Sequence, residues 1–234
     1  MPFCEESLDF LFLNRLTDSK TFFNDNRSEY ERLVLQPLRQ LVTDIEPAIH
    51  EIDPFLVCEP KVGKSISRIF RDTRFTHDKH IFRDVMWCTF YRDRKLFGSM
   101  PAFFFEFSPR CTRWGCGYYQ CGTDLLEAMR DLIKADDKAY LKAKKTLDNQ
   151  SVFELQDTAY KRTRHPDYPA EKQKWLDQRN FCFLASTTDT DMLFADDLAA
   201  QLAENFRAML PMYQLMQKAA SRVVDASAAN IACR

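Results

Sequence analysis

"AFFFEFS", residues 102–108, decides how this chain folds. In an extended segment successive side chains point to opposite faces. Phe103, Phe105 and Phe107 then share one face, and Ala102, Phe104, Glu106 and Ser108 share the other. Three phenyl rings on one face require burial, so the segment predicts a strand lying on a core. Its neighbours have the same character. "KSISRIFRDT" (64–73), "VMWCTFYRD" (85–93) and "TRWGCGYY" (112–119) are short, rich in β-branched and aromatic residues, and separated by polar or Gly/Pro-bearing stretches. They predict an antiparallel sheet, with "RDRKLFGSMP" (92–101) as a hairpin loop. "NFCFLAS" (180–186) is a further strand candidate.

Helical periodicity brackets this sheet. Leu8, Leu11, Phe12 and Leu16 predict a short amphipathic helix. Tyr30, Leu33, Val34, Leu38, Leu41, Val42 and Ile45 recur at helical spacing, with Asp25 or Asn26 as the N-cap. Pro37 is expected to bend or break that helix, and Pro47 to end it. Thr123 is expected to cap a helix with Leu125, Leu126, Met129, Leu132 and Ile133 on its stripe, and "ADDKAYLKAKKTL" (135–147) continues or restarts it. A long helix follows from Asp196 toward Val223, kinked at Pro211. The reading is a single α+β domain over residues 1–234, with its core at about 8–224 and the last ten residues frayed. An antiparallel sheet is flanked by helices, and the N-terminal and C-terminal helices pack together.

With 234 residues the chain is long enough for a full hydrophobic core. Five Gly and the lack of any G-x-G-x-x-G or G-x-x-x-x-G-K-[ST] pattern argue against a Gly-rich nucleotide loop. No apolar run has the length to cross a bilayer, and acidic residues stand where a secretion signal is basic. The expected location is therefore the cytoplasm, with its eight Cys as reduced thiols. A net charge of −1 argues against a nucleic-acid partner and against an anionic membrane. Charge is nonetheless unevenly distributed. Residues 1–60 carry a net of −7, residues 61–95 a net of +6, and residues 181–205 a net of −5.

The basic segment contains "RIFRDTRFTHDK" (68–79). Arg68, Arg71 and Arg74 are planar donor forks that match carboxylate or phosphate oxygens two at a time. Asp72, Asp78 and Lys79 lie among them, between Phe70 and Phe75, and Arg83 follows. If the segment is a strand, Arg68, Phe70, Asp72 and Arg74 share one face. The arginines then form an anion site, or else Asp72 and Asp78 neutralise them in an ion-pair network. His77 and Asp78 are the candidates for acid–base work. His77, Asp78 and His80 supply too few ligands for a metal, and Cys111, Cys116 and Cys121 stand five apart, off the spacing of zinc knuckles. No metal and no cofactor is expected. Lys161, Arg162, Arg164 and His165 form a second basic cluster, either a solvated loop or another wall of the same anion site.

These stretches resemble a family, domain of unknown function 2461, found in bacteria and fungi. "FLNRLTDSKTFFNDNRSEYERLVLQPLRQLV", "SRIFRDTRFTHDKH", "FFFEFSP", "GCGYY" and "RHPDYPAEKQKWL" occur in the family's order, over roughly Phe10 to Met216. The most specific part is R-x-x-R-D-x-R-F-x-x-D-K, matched at Arg68, Arg71, Asp72, Arg74, Phe75, Asp78 and Lys79. Where the family usually continues with Pro-Tyr-Lys this chain has "HIFRD", so Phe82 and Arg83 stand in place of Tyr and Lys and no aromatic hydroxyl is present. The resemblance implies a shared fold and a shared charged centre, and it brings no activity with it.

Three readings stay open. The charged centre binds an anionic small molecule or a nucleic-acid backbone, through a phosphate or carboxylate. The protein is a hydrolase or transferase of a phosphate-bearing substrate, with Asp78 or His77 as the base and the arginines stabilising charge. Or the motif is structural, in a protein that works by interaction.

Overall fold

Phe103, Phe105 and Phe107 are all fully buried in the computed structural model, which describes residues 3–74 and 77–232, with side chains through residue 225. Phe75 of the charged motif lies outside the described residues, as do the last two residues of the tail expected to fray, the rest of which continues α11 to Ala232. The elements are, in order, α1 (Glu5–Thr17), α2 (Lys20–Asp25), α3 (Arg27–Tyr30), a π-helical turn (Glu31–Leu35), α4 (Gln36–Ile52), β1 (Leu56–Val57), β2 (Met86–Arg92), α5 (Arg94–Phe97), β3 (Ala102–Phe107), β4 (Thr112–Gly117), α6 (Thr123–Lys134), α7 (Lys138–Asp148), β5 (Glu154–Leu155), α8 (Ala170–Leu176), β6 (Cys182–Thr187), α9 (Asp191–Phe194), α10 (Leu198–Ala208) and α11 (Leu210–Ala232). The strands form one antiparallel six-stranded sheet in the order β1-β2-β3-β4-β6-β5. The expected class, α+β with an antiparallel sheet flanked by helices, is the class observed. No described helix is long and apolar enough to cross a membrane.

The chain divides into two compact units. Unit 1 comprises residues 1–90, 104–114 and 186–205. In it Phe3 stacks on Phe107 with ring centroids 4.4 Å apart and lies 6.4 Å from Phe105. Its helices show how proline is accommodated. Pro37 has no N–H to give to the carbonyl of Leu33, one helical turn back. The helix widens into its π turn just before Pro37, and the Leu33 carbonyl accepts the Ser7 hydroxyl of α1 instead, at 2.7 Å. A bend or break was expected at Pro37; the chain instead takes a π turn before it and runs on as α4. Pro47, by contrast, does not end α4. The helix runs on to Ile52 because Ala48 and Ile49 beyond the proline are buried, so core packing overrides a local breaker. The groove beside α4, lined by Leu41, Asp44, Leu198 and Ala199 among others, brings an N-terminal helix to the first turn of α10.

Unit 2 comprises residues 91–103, 115–185 and 206–234. Phe103 packs on Phe206 and Tyr213 at 5.1 and 4.8 Å. Trp175 meets Tyr140 edge-on at 5.3 Å and lies 5.6 Å from Phe183. The long α11 packs chiefly on α6 and α7. It starts at Leu210, after a break from α10, and Pro211 sits in its first turn where a missing N–H costs nothing. Gly115 and Gly117 let β4 approach β6 closely: a Cβ would fall 2.2 Å from the Phe183 carbonyl oxygen and 2.5 Å from Cys182 Cα. The helix expected from Thr123 is capped by Gly122. Asp137, whose side chain accepts the Ala139 N–H, restarts the chain as α7. The loop expected at 92–101 holds the short α5.

Candidate functional site at residues 68–83

The charged motif lies in unit 1, and its conformation corrects the strand reading. Residues 64–73 form no regular strand. They meet the sheet through an isolated bridge, Ile66 with Cys88, and a second bridge pairs Phe70 with Phe82 of the same segment. Ser67 N donates to the Trp87 carbonyl at 2.9 Å and Thr89 N to the Ser65 carbonyl at 2.8 Å. The chain then turns away and pairs with itself. Arg71 N donates to the Ile81 carbonyl and Arg83 N to the Ile69 carbonyl, both at 2.9 Å. The motif is thus a loop closed at its neck by residues 69–71 and 81–83. Phe82, fully buried, anchors that neck against Phe23 at 5.0 Å and Phe70 at 4.9 Å.

Asp78 organises the loop. Its Oδ2 accepts from Arg15 Nη2 at 2.5 Å and from Arg71 Nη1, and its Oδ1 accepts from the His80 backbone N–H at 3.1 Å and pairs with His80 Nδ1 at 2.6 Å. The His80 and arginine bonds hold its carboxyl well below the usual carboxylate range. Asp72 makes a separate, two-pronged pair with Arg74, Nε to Oδ1 at 2.9 Å and Nη2 to Oδ2 at 2.7 Å. That pair is exposed, and the Arg74 bonds lower the Asp72 carboxyl to about 2.

The remaining candidates are spread out. The Arg68 guanidinium lies over Gly63, where an added Cβ would meet Nη2 at 3.4 Å. Lys79 Nζ donates to the Thr73 carbonyl at 3.1 Å. The Arg83 guanidinium sits 4.8 Å from the centre of the Trp87 ring. His77 is exposed. Arg68, Arg71 and Arg74 therefore make three different sets of contacts. Of the sequence candidates, the fold joins Arg71 with Asp78, and Asp72 with Arg74.

Two participants were missed, both at the C-terminal end of α1. Arg15 binds Asp78 and also donates from Nη1 to the Phe82 carbonyl at 3.0 Å. Asp18, in the left-handed conformation at the helix C-cap, accepts the N–H groups of Ile81 and Phe82 at 2.8 and 3.2 Å. A basic residue in the last turn of a helix followed by an Asp was the available signal, but nothing local says that it reaches a loop more than sixty residues away.

The cluster at His165 belongs to unit 2, where Arg164 stacks on Tyr160. Among the described residues no group of His, Cys, Asp and Glu could hold a metal ion, and the seven described cysteines are free thiols.

No curated protein and no solved structure matches the chain. A family model described as conserved hypothetical protein (DUF2461) matches residues 6–215. With the match covering most of the chain, and including α1 and the whole charged loop, this protein belongs to the DUF2461 family.

Proposed function

We propose that the protein is a cytoplasmic anion-binding protein whose loop 68–83 takes a phosphate or carboxylate group. One observation carries this reading. Arg15 and Arg71, from separate elements, aim at one solvent-reachable point, and a carboxylate, that of Asp78, fits it. Guanidinium pairs that hold a carboxylate in this way also match a phosphate oxygen. Arg68 and Lys79 add exposed charge elsewhere on the same segment. As a catalytic base Asp78 is poorly suited, because its lone pairs are occupied and its carboxyl is held low. The hydrolase or transferase reading is left with His77, beside which the described structure places no orienting partner.

A second reading rests on the same geometry. Asp78 satisfies Arg15 and Arg71 by itself, which makes the cluster a lock between α1 and the loop. Thermal denaturation with phosphate and pyrophosphate separates the two. Anion binding predicts a melting temperature that climbs with ligand concentration, with the climb reduced in Arg71→Lys. The lock predicts no shift with any anion, together with a lower melting temperature in Asp78→Asn.

A further inference from the structure

Unit 2 carries nineteen Lys/Arg against thirteen Asp/Glu, a net of +6, and unit 1 fourteen against twenty-one, a net of −7. The near-neutral whole chain thus contains a strongly cationic part, and at that part net charge no longer speaks against a polyanionic partner.

Within unit 2 one group of cations lies on a strap, residues 157–164, and on the turn at Arg179. Buried groups hold the strap in place. Asp177 and Gln178 are each 5% exposed. Asp177 accepts the Arg164 N–H through Oδ1 at 2.9 Å and the Tyr160 N–H through its carbonyl at 3.1 Å. Gln178 Oε1 accepts the N–H and the hydroxyl of Thr158 at 2.9 and 2.8 Å. The side chains that this framework presents outward are Lys161, Arg162 and Arg164, joined by Arg179. None of the described ion pairs includes any of these four, whereas Lys144, Lys172 and Lys218 of the same unit are paired with carboxylates. The Arg164 guanidinium lies 3.7 Å from the centre of the Tyr160 ring, and Arg179 approaches the same ring at 5.9 Å. A guanidinium held over a ring face keeps N–H donors for a phosphate.

An exposed aromatic residue follows the strand end that meets this turn. Tyr118 is tied to the Arg179 turn, its carbonyl accepting from Asn180 Nδ2 at 2.8 Å and its N–H donating to the Phe181 carbonyl at 2.9 Å. The next residue, Tyr119, is 95% exposed. Cations outside the described ion pairs together with an exposed ring match the needs of an unpaired strand, whose phosphates want charge and whose bases want a stacking surface. An acidic polypeptide or a duplex has no use for the ring.

We propose that this face of unit 2 binds single-stranded nucleic acid. Fluorescence anisotropy of the full chain with labelled oligo(dT) and oligo(U) tests it. Both strands are expected to bind, with a log–log salt slope of about −3 for four phosphate contacts on a single strand. Arg162→Glu should weaken binding severalfold, and Lys142→Glu, the same charge change at an exposed site on α7, far less. Tyr119→Ala should weaken it at least about fivefold, and Tyr119→Phe should restore it. Absence of binding at about 50 mM salt would overturn the proposal. So would polyglutamate or duplex binding as tightly as the single strands, equal losses in the two charge reversals, or full affinity in Tyr119→Ala. Circular dichroism of each variant guards against loss of fold.

Discussion

The loop at 68–83 in unit 1 and the strap at 157–164 in unit 2 look alike in sequence and differ in what they do with charge. Both set several arginines among aromatic residues. In the loop the carboxylates are supplied from close by: Asp72 takes Arg74, and Asp78 takes Arg71 and Arg15. In the strap Asp157 accepts the Ala159 N–H and Asp177 a backbone N–H of Arg164, and the Arg164 guanidinium lies over the Tyr160 ring. The more conspicuous cluster in the sequence is therefore the more neutralised one in space. Charge density along a chain measures how many ions are present, and tertiary structure decides how many remain available to a partner.

The comparison can be broken in several places. The largest expected effect lies at the neck of the loop. Phe82 is fully buried between Phe23 and Phe70, and Phe82→Ala should cost about 3–5 kcal/mol of unfolding free energy by chemical denaturation. A cost below about 1 kcal/mol would mean the loop is not anchored there. Next is the framework of the strap. Asp177→Ala leaves the part-buried Arg164 N–H without its acceptor, a loss of about 1–3 kcal/mol. Faster amide exchange should be confined to residues 158–165. Uniform exchange across the protein would show that the strap is not a separate unit of order.

A pH titration addresses the loop's own charges. Asp78 has its carboxyl lowered by the His80 and arginine bonds. It therefore binds its proton more weakly when folded than when unfolded, and the stability it confers is present above the unfolded carboxylate value of about 4. That stability is lost as pH falls below this value. The gap in melting temperature between the wild type and Asp78→Asn should accordingly be constant at neutral pH and close in acid. A gap that widened in acid would contradict the network. The smallest effect on stability belongs to the strap's surface. Arg162→Ala and Lys161→Ala remove exposed side chains with no described ion pair, and each should change stability by less than about 0.5 kcal/mol. A larger loss in a melting experiment would show that these cations are structural, which would erase the contrast with the loop.

Much of the architecture was written locally. The alternation at 102–108 placed β3 and its buried rings, and the apolar spacing at 30–45 placed α4. The failures share one cause. Pro47 and residues 64–73 were judged by local preference, and both were decided by what they meet in space. Buried Ala48 and Ile49 carry α4 past the proline. The closure of Arg71 on Ile81 and of Arg83 on Ile69 takes the charged segment out of the sheet.

By itself, then, the sequence determined the α+β class, the positions of most helices and strands, the family, and the location of two basic clusters. These depend on side-chain periodicity and on motif order, which are properties of neighbouring residues. The tertiary structure alone decided which arginine meets which carboxylate. That choice turned on Arg15 and Asp18 reaching the loop from α1, and on Asp177 being buried beneath the strap rather than beside its guanidinium groups. A carboxylate neutralises a cation only within a few ångströms, and separation along the chain says nothing about that distance.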